Sequence, residues 1–167
     1  ANIVESRRGF ESETALSALD RVDAITSYQD KLVVRRSNDN KMSYLSSGTW
    51  TDYLGTYSHP DSDYARMKFS QVNGNLYFTT SDGVKVLDTY NGTIYSTGMP
   101  KGLDGEATLT GASGFLADNT QVAFRIVWWT KDANSNLYLG SPSRRSIVSN
   151  ASGGTRNVSL TFTIPQG

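Results

Sequence analysis

Asn73-Gly74, Asp82-Gly83 and Asn91-Gly92 each adjoin a short run of β-branched and aromatic residues, and no other feature narrows what this chain can fold into so far. Asn and Gly tolerate the positive φ angles that a two-residue type I′ turn demands, so such pairs between apolar runs signal β-hairpins. Asn75-Leu-Tyr-Phe-Thr-Thr80 follows the first pair and Val84–Asp88 the second, while Thr93–Ser96 follows the third. Upstream, Lys31–Arg36 and Lys41–Leu45 flank the turn formers Asn38-Asp39-Asn40, and Ser47-Gly48 precedes Trp50–Leu54. Ala65–Gln71 supplies the strand before Asn73. Consecutive short strands with no residues left for crossover helices predict an antiparallel meander over 28–98. Four-stranded meanders are propeller blades. This stretch has material for about one and a half to two of them, whereas a closed propeller needs at least about four.

Met99-Pro-Lys-Gly-Leu-Asp-Gly105 carries no periodic pattern, and Pro and Gly both interrupt regular structure, so residues 99–106 read as a linker. Beyond it, Val122, Phe124, Ile126 and Trp128 alternate with Ala123, Arg125, Val127 and Trp129, apolar on one face and nearly so on the other. That pattern predicts a central strand. Asn134-Ser-Asn136 turns the chain into Leu137-Tyr-Leu139, Pro142 interrupts an edge, and Ser146–Ser149 is a further short strand. Val158, Leu160, Phe162 and Ile164 alternate with polar residues, the mark of a strand buried on one face. About four strands are thus visible in 107–167 where an immunoglobulin-like sandwich has about seven. The fold class expected is all-β: a blade-like meander followed by an incomplete fibronectin-like or immunoglobulin-like β-sandwich. Residues 1–27 form an N-terminal arm. Within it, Leu16, Leu19 and Val22 recur near helical spacing behind Ser12, so Glu13–Ile25 reads as either a helix or an extended lead into the first strand.

Sixteen basic residues balance sixteen acidic ones. This removes the positive field on which non-specific nucleic-acid binding depends. Without cysteine, neither a disulfide frame nor a thiolate metal site can form. No run of about 18 apolar residues is present, so no membrane insertion is expected. The chain begins without Met and stops just past the strand-like 157–164, a pattern read as a segment of a longer polypeptide.

The search for chemistry returns structural readings. His59 is the single histidine and sits in a turn-rich stretch, without a second histidine for a metal pair. Asp61 and Asp63 are two apart, but the calcium loop with its terminal Glu is missing. Asp52, Asp82, Asp88, Asp104 and Glu106 supply carboxylates for a sugar-cleaving pair, although Asp82 and Asp104 precede Gly and read more simply as turn residues. Gly111-Ala-Ser-Gly114 fits neither a phosphate loop nor a nucleophile elbow. Asn91-Gly-Thr93, Asn150-Ala-Ser152 and Asn157-Val-Ser159 match the glycosylation triplet, a pattern common by chance in such a chain. No catalytic residue, cofactor or metal is expected. Subunit contacts are expected from Arg7, Arg8, Phe10 and Trp129, because paired arginines can grip a carboxylate and one of two adjacent strand tryptophans must face outward. Tyr53, Tyr57 and Tyr64 are the candidates for stacking on a glycan.

Asn2-Ile-Val-Glu-Ser-Arg-Arg-Gly-Phe10, Tyr28-Gln-Asp-Lys-Leu32, Asn75–Val84 and Gly98-Met-Pro-Lys-Gly102 resemble tail proteins of short-tailed phages. Ala123-Phe-Arg-Ile-Val-Trp128, Lys131-Asp132, Leu139-Gly-Ser-Pro-Ser143 and Val158–Pro165 resemble the fibronectin-like module that follows in them. The resemblance spans nearly the whole chain through short motifs. It implies a virion protein of the tail nozzle or tube, shorter here than a whole nozzle subunit. Such a protein partners other phage tail proteins, assembles as a homo-oligomeric ring, and touches DNA only transiently during genome ejection. Near-zero net charge suits a conduit, since a strongly basic wall would hold DNA. A host-surface glycan-binding module or adhesin is the alternative, and a depolymerase a third reading.

Overall fold

The computed structural model describes residues 21–36, 39–59 and 66–165. Strand is the only regular structure among them, so the chain is all-β. It divides into two compact units between Thr97 and Gly98.

The first unit holds two successive four-stranded antiparallel meanders. Strands β1 (Val22–Tyr28), β2 (Lys31–Arg36), β3 (Lys41–Ser46) and β4 (Thr49–Asp52) lie in chain order, as do β5 (Phe69–Val72), β6 (Asn75–Thr80), β7 (Gly83–Leu87) and β8 (Tyr95–Ser96). Both meanders have the connectivity of a propeller blade. Asn73 (φ 50°) and Gly74 (φ 81°) form the turn their residue types require, and Ser47 (φ 51°) with Gly48 (φ 77°) repeats it. Gln29 and Asp30 adopt the same left-handed pair of angles, 46° and 60°, without any glycine.

Val22 to Ile25 belong to β1, which overturns the helical reading of that stretch and takes Val22–Ser27 out of the expected arm. The β-branched Val22, Ile25 and Thr26 pair with Arg36, Val34 and Val33, so ladder bonds outweigh a coincidental helical spacing. The rest of that segment, residues 13–20, lies outside the described residues.

The two meanders share one core. Tyr28, Val33, Met42 and Tyr53 from the first meet Met67, Leu76, Phe78, Leu87 and Ile94 from the second. Aromatic rings line the seam, with Tyr44 against Tyr53 at 5.0 Å and Phe69 against Phe78 at 6.2 Å between centroids. Polar bonds set the register between the sheets. The buried Tyr28 hydroxyl donates to the Gly74 carbonyl at 2.8 Å, Gln71 Nε2 donates to the Ser27 carbonyl at 2.6 Å, and Tyr90 N–H donates to Gln29 Oε1 at 3.0 Å. Just past β4, Leu54 bridges Thr93 in parallel, and the Ile94 N–H donates to its carbonyl at 2.8 Å.

The second unit contains β9 (Glu106–Thr110), β10 (Thr120–Phe124), β11 (Trp129–Lys131), β12 (Leu137–Leu139), β13 (Ser146–Asn150) and β14 (Asn157–Thr161). They pair as β9 with β14, β10 with β13 and β11 with β12, all antiparallel. Two bonds join the last two ladders into one long ribbon: Ser143 N–H to the Ile126 carbonyl and Gly140 N–H to the Trp128 carbonyl, both at 2.9 Å. The expected central strand is therefore corrected. Its first half, β10, has a single ladder partner among the described residues, and its second half is interrupted over 125–128 before resuming as β11.

Burial in this unit is shallow. Leu116, 4% exposed, is the one fully buried hydrophobic side chain among its described residues. The alternation in β14 was expected to mark a buried face, yet Leu160 and Phe162 are 47% and 49% exposed and Ile164 64%. The strand is amphipathic, but too few strands pack against it to close a sandwich interior.

Candidate interaction surfaces

Strand alternation sorts the two adjacent tryptophans. Trp128 turns inward, edge-on to Phe162 at 5.9 Å between centroids, while Trp129 is 63% exposed. Opposite Trp129 across the ladder sits Leu139, and opposite Lys131 sits Leu137, both leucines more than half exposed. Val127 and Ile147 extend the same kind of surface, and Arg125 beside them is exposed. Trp129 thus lies in an apolar patch with cations around it. The hairpin that presents it is held by Asp132, whose Oδ1 accepts the N–H groups of Asn134 (2.9 Å) and Asn136 (2.8 Å). An aspartate bonding the backbone two residues on is a local turn device, so the hairpin tip needs no core beneath it.

On the inner side of the same unit, Phe115, Val122, Phe124, Val158 and Leu160 line an apolar groove of about 150 Å³ between β10 and β14. A more polar cleft of about 340 Å³, lined by Asn119, Thr120, Gln121, Ser149, Asn150 and Ala151, opens at the end of the ribbon. Asn150 is 1% exposed, and its amide is fully engaged. Its nitrogen donates to the carbonyls of Leu116 (2.9 Å) and Gly154 (2.6 Å), while Oδ1 accepts from Ser152 N–H and Oγ. That burial removes the Asn150 triplet from consideration as a glycan acceptor.

Two aromatics expected to face a ligand are structural. Tyr53 is 8% exposed within the shared core, and burial, with Tyr28 and Tyr44 nearby, pushes its phenol far above the ordinary value. Tyr57 is half-buried and edge-on to Phe78, and burial raises its phenol likewise, with Arg35 opposing. Both follow the apolar side of their segments into the seam, a choice made by packing between sheets. Tyr64, Arg7, Arg8 and Phe10 lie outside the described residues, as do Asp61 and Asp63.

Three of the five candidate carboxylates, Asp82, Asp52 and Asp104, are engaged in turns and ion pairs. Asp82 accepts from Thr80 Oγ1 (2.6 Å) and Ser58 N–H (3.0 Å) and pairs with Lys85 (2.9 Å), contacts that hold its carboxyl well below the usual range. Burial works against the charge of Asp52. Hydrogen bonds from Ser43 (2.7 Å) and Lys41 (3.0 Å), with the Arg36 charge, outweigh it and lower its pKa. Asp104 accepts the Arg144 N–H at 3.0 Å. Arg35, 0% exposed, pairs with Asp23 and donates to Asn40 Oδ1 (2.9 Å) and the His59 carbonyl (3.1 Å). This buried cation has the look of a site, but its Nη groups are directed at Asp23 of β1 and at the fold's own loops, and its Nε alone has no hydrogen-bond partner among the described residues. No cluster of three or more His, Asp or Glu suited to a metal occurs among the described residues.

The surfaces that sequence reasoning missed are the exposed apolar faces of β12 and β14, together with Phe115. The signal available was the absence of charge in 157–164. No family model matches this chain, and no curated protein or solved structure is significantly similar to it.

Proposed function

We propose that this chain is a structural component of a short-tailed phage tail, a nozzle or tube subunit that works by assembling with copies of itself and other tail proteins around the path of the genome. The observation that carries the reading is the second unit's surface. Among its described residues, ten large hydrophobics from Leu103 to Ile164 are more than 40% exposed, against one buried. Monomeric proteins rarely leave contiguous apolar surface beyond a few hundred Å² open to water, and larger patches mark interaction sites. The motif resemblance supplies the phage context, and the balanced charge agrees with a wall that does not grip DNA.

The glycan-binding alternative loses two of its three aromatics, since Tyr53 and Tyr57 serve the core. Trp129 remains an exposed ring that a sugar could stack on.

Light scattering with negative-stain imaging of the purified protein tests the proposal. The expected result is a ring or tail-like particle in which the chain repeats. A monomer at every concentration would overturn it, and glycan binding lost in Trp129→Ala would then favour the adhesin.

A further inference from the structure

The groove between β10 and β14 is bounded by two open strand edges. Each strand has one ladder partner among the described residues, β13 and β9 respectively, apart from the single Leu116–Arg156 bridge beside the start of β14. Open edges are templates for further strand pairing, and proteins that must stay monomeric guard them with charges, prolines or bulges. These edges have no such guard. From Asn157 to Ile164 the sequence is Asn-Val-Ser-Leu-Thr-Phe-Thr-Ile, and β10 is Thr-Gln-Val-Ala-Phe. Neither contains a charge, a proline or a glycine, and both are rich in residues that favour strands.

We propose that the β14 edge docks on the β10 edge of a second copy of this chain, so that each copy's groove is covered by its neighbour. The inference rests on the assembly reading above and names the surface that makes the assembly. Charge permits it, because pairing two neutral edges sets no like charges against each other. Area supports it as well. Phe115, Leu160, Phe162 and Ile164 are 68%, 47%, 49% and 64% exposed. Taking roughly 200 Å² for each such residue when fully exposed, they leave roughly 450 Å² of apolar surface per copy. Interfaces are roughly 60% apolar, so a contact built on this surface would reach roughly 750 Å² on the copy that presents β14, close to the roughly 800 Å² that each partner of a stable complex buries. Because β10 and β14 are different strands, the contact is heterologous. A heterologous contact repeats from copy to copy and generates a ring where the rotation closes.

The experiment uses the full chain and compares its mass by light scattering with that of Leu160→Lys and Ile164→Lys, each placing a charge on the docking edge. Ile164 lies beyond the β9–β14 ladder, so its variant should keep the fold even where Leu160→Lys does not. Val72→Lys adds the same charge to an exposed position in the first unit and serves as control. The expected result is an assembled wild type and control, with the edge variants reduced to single-chain mass and an unchanged far-UV circular dichroism spectrum. Edge variants that assemble as well as wild type would overturn this interface while leaving the assembly reading in place. A wild type that is monomeric at every concentration would overturn both.

Discussion

Arg35 ends the inward face of β2 where the apolar core gives way to loops, and its partners are Asp23, Asn40 and the His59 carbonyl. Replacing one member of a buried pair leaves the other charged and unsatisfied, which costs about 3 kcal/mol or more. Arg35→Met should therefore lower the urea midpoint by that equivalent, and an unchanged midpoint would show the pair to be dispensable. Tyr53 is the opposite case. Its hydroxyl is buried without a hydrogen-bond partner among the described residues, so Tyr53→Phe should be neutral or stabilising by about 1 kcal/mol at pH 7. The phenol's folded pKa is raised above its ordinary value of 10.0, so the folded state holds this proton where the unfolded state has lost it. Stability from this group is complete below pH 10 and declines as pH rises above it. Thermal melts between pH 9 and 11 should show a shallower alkaline decline in Tyr53→Phe than in wild type.

At the scale of elements, the meanders were legible because their turns are encoded locally. Asn73-Gly74 occupies the conformation its residue types favour, whereas Ser47 is drawn to positive φ beside Gly48, and of Asp82-Gly83 and Asn91-Gly92 only Gly83 takes a positive φ. The Gln29-Asp30 turn was less legible, since Asp30 tolerates positive φ but Gln29 does not favour it and no glycine follows; Gln29 is held there by its bonds to the second meander. The seam between meanders depends on Gly55, at φ +97°, where an added Cβ would stand 2.2 Å from the Ile94 carbonyl oxygen. Gly55→Ala should cost about 2–3 kcal/mol by forcing the Leu54–Thr93 bridge apart. Amide exchange would locate the damage: faster exchange at Ile94 is expected, and protection unchanged there would argue against the bridge. In the second unit, Val122–Trp129 misled because an apolar pattern on both faces implies burial only when other strands exist to supply it.

For the whole molecule, the contrast is between a unit with a closed core and one without. Among the described residues, nine buried hydrophobic side chains cluster in the first unit and a single one is buried in the second. Unfolding of the isolated chain should accordingly be two-step, the second unit going first. Two of the three tryptophans, Trp128 and Trp129, lie in that unit with Trp50 in the other, so Trp fluorescence should change at lower urea than the far-UV signal. Coincident transitions would mean that the units unfold as one. Assembly through the second unit would raise its midpoint with protein concentration by mass action.

By itself, the sequence determined the all-β class, the hairpin order of the meanders and the break near residue 98. These depend on turn chemistry and side-chain alternation, which act over a few residues. Only the tertiary structure decided which apolar residues are core and which are surface. Tyr53 became core, with Tyr57 packed half-buried against it, because a second sheet lies over the first, and Leu160, Phe162 and Ile164 stayed exposed because no strand among the described residues covers them. Alternation specifies that a strand has an apolar face; burial of that face depends on a partner far away in the chain or on another molecule.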